Sequence, residues 1–183
     1  MELSSLSRSR GVTLVELLAV ITIVAILMSI GVPSFRYVTN ANRIAAEANG
    51  LLGDLQFARV EAIKEGWTVT ACISTNGTQC SGTATGTWQN GWIVFADLNN
   101  DQTVDAGDTV FRVQKTFNST DTFTAAGGVN AVTFNREGFA TGLPNGTLIT
   151  LHDATSTPAW TRCVSITTVG LMAVKQYDGS TCT

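Results

Sequence analysis

The amino-acid sequence predicts an α+β fold, in which one long N-terminal helix precedes a mostly antiparallel β-sheet body. Two observations predict it. Residues 12–32 are almost entirely apolar, and apolar residues then recur at helical spacing as far as Gly66. From Trp67 onward, short runs rich in β-branched and aromatic residues alternate with Gly, Asn, Asp and Pro. At 183 residues, we expect one globular body plus an anchor.

The apolar segment is long enough to cross a membrane. Its 21 residues from Val12 to Val32 span about 32 Å as a helix, close to the roughly 30 Å hydrocarbon core of a bilayer. A secretory signal has a shorter apolar core and an A-x-A-like cleavage site, and the sequence MSIGVPS offers no such site. Arg8 and Arg10 precede the segment, which predicts a cytoplasmic N-terminus and an exported body.

Glu16 is the one charged residue within the apolar segment. A carboxylate costs about 2.5–3.5 kcal/mol at the centre of a bilayer and less near its surface. One interpretation places Glu16 in the first helical turn, where the helix dipole stabilises a negative charge. The alternative is that Glu16 awaits a positively charged partner within an assembly.

An amphipathic helical half, residues 34–66, is predicted after the membrane-spanning half, residues 12–33. Pro33 removes an intrahelical hydrogen bond, so we expect a bend where the two halves join. The apolar stripe that can pack on a sheet consists of Leu51, Leu55, Ala58 and Ala62.

Residues 67–183 are predicted to form the β-rich body. The predicted strands are WTVTACIS, GWIVFAD, TVFRVQK, NAVTFN, TLITLHD and RCVSITTV. Only 14% of the residues are charged, which is typical of an exported, strand-rich domain rather than a cytosolic helical one. Beyond Gly66, eight acidic residues outnumber five basic ones, so the body is acidic.

The four cysteines, Cys72, Cys80, Cys163 and Cys182, allow three disulfide pairings. Neither a CxxC motif nor a Cys/His spacing indicates zinc. We expect the local pairs Cys72–Cys80 and Cys163–Cys182, which close two loops and attach the C-terminal tail. Such bonds persist only in an oxidising compartment, in agreement with export.

The segment from Asp97 to Asp108 imitates a calcium-binding loop. The residues at positions 1, 3, 5, 7, 9 and 12 are Asp97, Asn99, Asp101, Thr103, Asp105 and Asp108. Two features depart from the motif, because Gln102 replaces the glycine at position 6 and Asp108 replaces the bidentate glutamate. We favour an Asn/Asp-rich connection whose side chains satisfy their own backbone. Calcium stays an alternative, and neither a metal nor a cofactor is assigned.

Catalytic chemistry has little support in the sequence. His152 is the one histidine, and no serine lies in a G-x-S-x-G motif that would complete a triad with it. We expect His152 at the end of a strand and predict a protein that is not an enzyme. The tryptophans, expected to pack in the core or at its rim, are Trp67, Trp88, Trp92 and Trp160.

The N-terminal pattern resembles the class III signal of type IV prepilins and type II secretion pseudopilins. The resemblance rests on Gly11, the following VTLVE that ends at Glu16, the long apolar helix and Pro33. It implies that prepilin peptidase cleaves after Gly11, removing residues 1–11 as a leader, and methylates Val12. Most members have phenylalanine at that position, and Val12 keeps its apolar character. The new amino group can be cationic and can pair with Glu16 of a neighbouring subunit.

The body resembles the GspH/FimT family of minor pilins and pseudopilins. The stretches that carry this resemblance are LQFARVEAIKEGWTVTACIS and NGWIVFADLNNDQTVDAGDTVFRV. Together with the N-terminal signal it covers residues 11–115 closely and the remainder loosely. It implies a pilin-like fold, a single-pass inner-membrane protein with a periplasmic body, and a later place in a pilus or pseudopilus, near its tip. The implied partners are other minor and major pilins or pseudopilins, prepilin peptidase, the inner-membrane assembly platform and membrane lipid.

The resemblance implies a minor pilin that initiates or caps a type IV pilus filament. An H-type pseudopilin of a type II secretion system has the same signal and body plan, and it stays as the alternative. The simplest alternative is a periplasmic protein anchored by a single span.

A further alternative is a pilin that binds DNA in natural transformation. In such pilins a G-R-x-R-like motif contacts DNA, and the matching stretch here is GLMA, residues 170–173. Both arginines of that motif are missing, and the nearby basic residues are Arg162 and Lys175. Because phosphate neutralisation dominates affinity for duplex DNA, we expect this acidic body to bind DNA poorly.

Overall fold

The computed structural model describes residues 11–82, 86–117, 120–143 and 146–182. These residues form two units, one ending at Thr39 and the other beginning at Asn40. Of the predicted leader, only Gly11 lies within the described residues, so Arg8 and Arg10 lie outside them.

The long helix predicted from the sequence is a single element, α1 (Leu14–Glu65). Thr13 fixes its start, because Oγ1 of Thr13 accepts a hydrogen bond from the backbone N–H of Glu16 (3.2 Å). Its end is followed by Gly66, whose φ of +79° suits glycine at a helix C-terminus. Pro33 lies inside the helix, which continues through it; the bend expected there stays a prediction.

The first unit has no buried residue in its described part. Every residue from Gly11 to Thr39 is exposed. By length and composition alone, α1 is the one described helix that is long and apolar enough to cross a membrane. The apolar side chains of this unit are therefore available to a lipid bilayer or to another protein.

The second unit contains the final part of α1 and all the described strands. These are β1 (Val69–Ile73), β2 (Gly91–Ala96), β3 (Val110–Lys115), β4 (Thr122–Ala125), β5 (Ala131–Phe134), β6 (Ala140–Thr141), β7 (Thr147–His152), β8 (Arg162–Ile166) and β9 (Met172–Gln176). Two short 3₁₀ helices, Trp88–Asn90 and Ala126–Gly128, interrupt them.

The strands form two sheets in which every pair is antiparallel. The order of the first is β3-β2-β1-β5-β6 and that of the second is β4-β7-β8-β9. The six strand predictions coincide with β1, β2, β3, β5, β7 and β8. The sequence did not predict β4, β6 or β9, and it did not predict that the strands divide between two sheets. The fold class, a long helix packed on antiparallel sheets, is confirmed.

One hydrophobic core joins α1 to both sheets. The predicted stripe of Leu51, Leu55, Ala58 and Ala62 is fully buried, and Ile44 and Ala48 extend it toward the N-terminus. The largest buried side chains opposite this stripe are Trp88, Trp92, Phe123, Phe134, Ile149 and Leu151. Of the other tryptophans, Trp160 is half-buried and Trp67 is 40% exposed.

Candidate assembly site

The N-terminal part of α1 is the candidate site of assembly. Gly11 and Val12 precede the helix, and Glu16 lies in its first turn, where the partial positive charge of the helix N-terminus favours a carboxylate. Glu16 is also the third residue after the capping Thr13, the spacing of a capping box. The structure therefore gives Glu16 a local stabilising environment even before any partner is present.

The side chains after Glu16 form a continuous apolar surface. Between Val12 and Phe35, Glu16 is the one charged residue, and large apolar side chains such as Ile21, Leu27 and Ile30 are more than half exposed. The hydroxyl groups of Thr22 and Ser29 donate to carbonyl oxygens of the same helix. This surface can contact lipid tails or the apolar face of another helix.

In the body, Asp54 attaches α1 to the first sheet. Its carboxylate accepts hydrogen bonds from Nε1 of Trp92 (2.8 Å) and from Nη1 of Arg112 (2.7 Å). The Arg112 guanidinium also lies 3.9 Å from the centre of the Phe57 ring. These contacts join α1 to both β2 and β3.

Arg59 attaches α1 to two turns of the body. Its Nε donates to the carbonyl oxygen of Gly138 (2.9 Å) and its Nη2 lies 3.5 Å from the carbonyl oxygen of Val169. The next residue, Gly170, has φ of +75°, and a Cβ there would overlap the Gly138 carbonyl oxygen. Arg59 is not part of the predicted stripe, and the sequence did not predict this role.

The structure contains two disulfides, Cys72–Cys80 and Cys163–Cys182. The first closes the loop that follows β1. The second connects β8 to the chain after β9, where Tyr177 pairs with Cys182. The tail is thereby attached to the second sheet.

The calcium-like loop is an internally bonded connection. Asp97 is buried, and its carboxylate accepts hydrogen bonds from Thr70 Oγ1 (2.6 Å) and from the backbone N–H groups of Asp101 and Gln102 (both 3.1 Å). Asn99 donates to Asp101 and to Asp105 (both 2.9 Å).

At the end of this loop, Asp108 accepts hydrogen bonds from the backbone N–H groups of Leu98 (3.3 Å) and Asp105 (2.9 Å). Each carboxylate of the loop is thus engaged with the loop's own polar groups. Throughout the described residues, no group of three or more His, Cys, Asp or Glu side chains is arranged to hold a metal ion.

His152 lies at the last position of β7. Its Nδ1 is 3.0 Å from Thr122 Oγ1 and 3.1 Å from Ser156 Oγ. The neighbouring Asp153 instead accepts hydrogen bonds from Thr155 and from the backbone of Thr157. The residues near His152 thus do not form a Ser/His/Asp relay.

The two basic residues considered for DNA do not form one surface. Arg162 faces Gln176 across the β8–β9 pair, and Lys175 faces Cys163. Because consecutive residues of a strand point to opposite sides, the two side chains lie on opposite faces of the second sheet. Nη1 of Arg162 is also occupied by the carbonyl oxygens of Ala159 (3.1 Å) and Thr161 (2.9 Å).

Comparison with protein families gives two matches along the chain. Residues 47–170 match the family described as type II transport protein GspH. Residues 6–32 match the prokaryotic N-terminal methylation motif. No curated protein gives a significant match.

Solved structures with a similar fold come from both pili and secretion systems. The type IV minor pilin FimU of Pseudomonas aeruginosa is 19% identical with a TM-score of 0.59, covering 80% of this chain and 96% of that chain. The minor pseudopilin EpsH of the type 2 secretion system of Vibrio cholerae is 12% identical with a TM-score of 0.50, covering 72% of this chain and 95% of that chain. At these identities the likeness concerns the fold.

Members of the matched family are structural components of pili and pseudopili that assemble with other pilins. The apolar N-terminal helix and the methylation motif fit a membrane-anchored subunit of such an assembly. The GspH match covers more than half of the 183 residues, and the resemblance seen in the sequence is confirmed. This chain belongs to the GspH family of minor pilins and pseudopilins.

Proposed function

We propose that this chain is a minor pilin that helps to initiate or cap a type IV pilus filament. Prepilin peptidase cleaves after Gly11 and methylates Val12. Before assembly the protein is anchored in the inner membrane by a single span, with its N-terminus in the cytoplasm and its body in the periplasm. It then enters the filament, at or near the tip, through the assembly platform.

The observation that carries this proposal is the exposed apolar surface between Val12 and Phe35. This helical segment buries none of its side chains against the rest of the chain. Exposure of so large an apolar surface to water is unfavourable, so we expect another molecule to cover it. A bilayer covers the surface before assembly. The helices of neighbouring pilins replace the lipid in a filament, so one segment serves both states.

Glu16 acquires its partner only after processing. Cleavage after Gly11 creates an amino group at Val12, which can be cationic near neutral pH. Within a filament this amine lies beside Glu16 of an adjacent subunit. Because desolvation opposes a buried ion pair, the pair sets the axial register of the subunits rather than supplying much of the assembly energy.

The central test is the identity of the N-terminus. The protein is purified from membranes of cells that have prepilin peptidase, and its N-terminal peptide is analysed by mass spectrometry. We expect N-methylated Val12. In cells without the peptidase, the same peptide should begin before Gly11. An N-terminus beyond Pro33, or an uncleaved Gly11 in the presence of the peptidase, would contradict the proposal.

The second candidate is an H-type pseudopilin of a type II secretion system. It is favoured by the GspH family match, whereas the fold is shared with FimU and with EpsH. Deleting the gene in its own host separates the two candidates. If the chain is a minor pilin, its deletion is expected to reduce surface pili while protein secretion continues. Loss of secretion with normal pili would establish the pseudopilin instead.

A further inference from the structure

A second, independent feature lies where α1 enters the body. Arg43 and Glu47 are one helical turn apart on α1, and both face Asp121, the residue before β4. Arg43 donates from Nε to one carboxylate oxygen of Asp121 (2.6 Å) and from Nη2 to the other (2.8 Å). The Asp121 side chain is completely buried. This two-point ion pair attaches the beginning of the body's helix to the second sheet.

Glu47 adds a second carboxyl group to this contact. Its Oε2 is buried without a hydrogen-bond partner among the described residues, and Asp121 lies close enough to raise the pKa of Glu47. A second ionised carboxylate beside the buried Asp121 would meet repulsion, and its buried oxygen has no donor to compensate. A proton on one of the two carboxyl groups removes both costs.

The charges around Glu47 favour this proton. Arg43 is the basic group of the cluster, and both of its interactions with Asp121 are already made. Asp153, which follows β7, adds negative charge near Arg43. Burial, followed by the charge of Asp121 and the hydrogen bond to it, raises the pKa of Glu47 to about 7, while Arg43 acts in the opposite direction.

We propose that Glu47 and Asp121 share one proton across the contact between α1 and the second sheet, and that the attachment of residues 40–48 to the body weakens as the pH rises from acid to neutral. With the proton present, the cluster of Arg43, Glu47 and Asp121 is neutral. Without it, a net negative charge is trapped in a partly buried site. The start of the body's helix is thus held more firmly in acid than in alkali.

The direction of the pH dependence follows from linkage. Glu47 changes from its ordinary pKa of 4.5 in the unfolded chain to about 7 in the folded one. Its contribution to stability is therefore complete below about pH 4.5, is lost as the pH rises toward 7, and is constant above it. Between these values the unfolding constant of the wild type should rise by up to about tenfold per pH unit relative to a variant that cannot titrate there.

The direct test is the titration of Glu47 itself. The full chain in detergent micelles is labelled with ¹³C at glutamate carboxyl carbons, and the Glu47 signal is identified by its loss in Glu47→Gln. We expect a midpoint near pH 7, because burial and the neighbouring Asp121 raise the pKa of Glu47 to about 7. A midpoint near the ordinary value of a glutamate would overturn the proposal, and this readout does not depend on the stability of any variant.

The second test measures stability and local opening. Glu47→Gln keeps the shape of a protonated glutamate, so it should fold, remove the extra pH dependence and be the more stable protein above neutral pH. Amide exchange, corrected for its intrinsic rate, should show that protection at Ile44 and Ala48 falls with pH in the wild type relative to Ala58 and Ala62. An unchanged pH dependence in Glu47→Gln would refute the shared proton.

His152 supplies the control variant. It hydrogen bonds with Thr122, next to Asp121, and it lies on the strand that pairs with β4. His152→Asn should keep the wild-type difference between acid and alkali. If His152→Asn removes that difference while Glu47→Gln does not, the pH dependence of stability arises from the histidine and the proposal is wrong.

Discussion

Residues 14–39 and residues 40–65 belong to the same helix, yet they have opposite relations to the rest of the chain. In the first part every side chain is exposed, whereas the second part buries Ile44, Ala48, Leu51, Leu55, Ala58 and Ala62. The difference separates two tasks. The second part stabilises the body, whereas the first exposes its apolar side chains, which are available to lipid or to other subunits. Substitutions in the two parts should therefore affect different measurements.

The largest effect on folding is expected from the buried stripe. Leu55→Ala removes a fully buried side chain and should lower the free energy of unfolding by about 2–5 kcal/mol. Leu27→Ala, the matched change at a position that is 65% exposed, should alter it by less than about 0.5 kcal/mol. Chemical denaturation followed by tryptophan fluorescence checks both. Equal losses in the two variants would contradict the division of tasks.

A smaller effect is expected at the turn held by Arg59. Gly170→Ala forces a side chain into a left-handed conformation and against the Gly138 carbonyl oxygen, so we expect a loss of about 1–3 kcal/mol. Gly127→Ala is the control, because Gly127 has φ of +71° but open space around its Cβ position. It should cost less than Gly170→Ala by denaturation. A larger loss of stability in Gly127→Ala would contradict this order. It would show that the left-handed backbone conformation, rather than contact with the Gly138 carbonyl oxygen, determines the cost.

The attachment at Asp54 should come next in size. Asp54→Asn keeps the shape but removes the charge that Arg112 and the Trp92 indole share, so we expect a loss of about 1 kcal/mol for a partly exposed group. Trp92→Phe removes the indole donor and leaves Asp54 with its hydrogen bond from Arg112. The coupling energy between positions 54 and 92 should therefore fall. A double-mutant cycle of Asp54→Asn with Arg112→Gln measures the coupling. Strictly additive effects would show that the carboxylate and the guanidinium do not interact.

The smallest effect on the body is expected at Glu16. Glu16→Gln keeps an exposed polar group in the first turn, so the denaturation curve should move by less than about 0.5 kcal/mol. Filament assembly, measured by surface pili in a complementation assay, should fall sharply because Val12 of the neighbouring subunit loses its anionic partner. Normal assembly by Glu16→Gln would contradict the proposed pair, while leaving the family assignment untouched.

Much of this architecture could be predicted because its signals are local. The helix follows from a continuous apolar run and from the spacing of Leu51, Leu55, Ala58 and Ala62. Six strands follow from runs of β-branched and aromatic residues. Of the three that were missed, β6 has only two residues and β9 mixes Met, Ala and Lys without a turn residue directly after it. β4 is short but rich in Thr and Phe, so its composition suits a strand and its omission was an error of interpretation.

The contacts that position α1 could not be predicted, because they join residues far apart in the sequence. Asp54 and Arg112 are 58 residues apart, and Arg43 and Asp121 are 78 apart. Nothing in the spacing of either pair indicates a partner. Glu47 illustrates the limit best, since in the sequence it is an ordinary charge on an amphipathic helix, and its proton is implied only by the buried aspartate opposite.

The shared hydrogen bonds of Asp54 also have an evolutionary consequence. One carboxylate serves two donors on neighbouring strands, so a lineage that replaces Asp54 leaves both an indole N–H and a guanidinium without an acceptor. Positions 54, 92 and 112 should therefore co-vary among homologues as a triplet. Substitution of one is expected mainly in sequences where the other two have also changed.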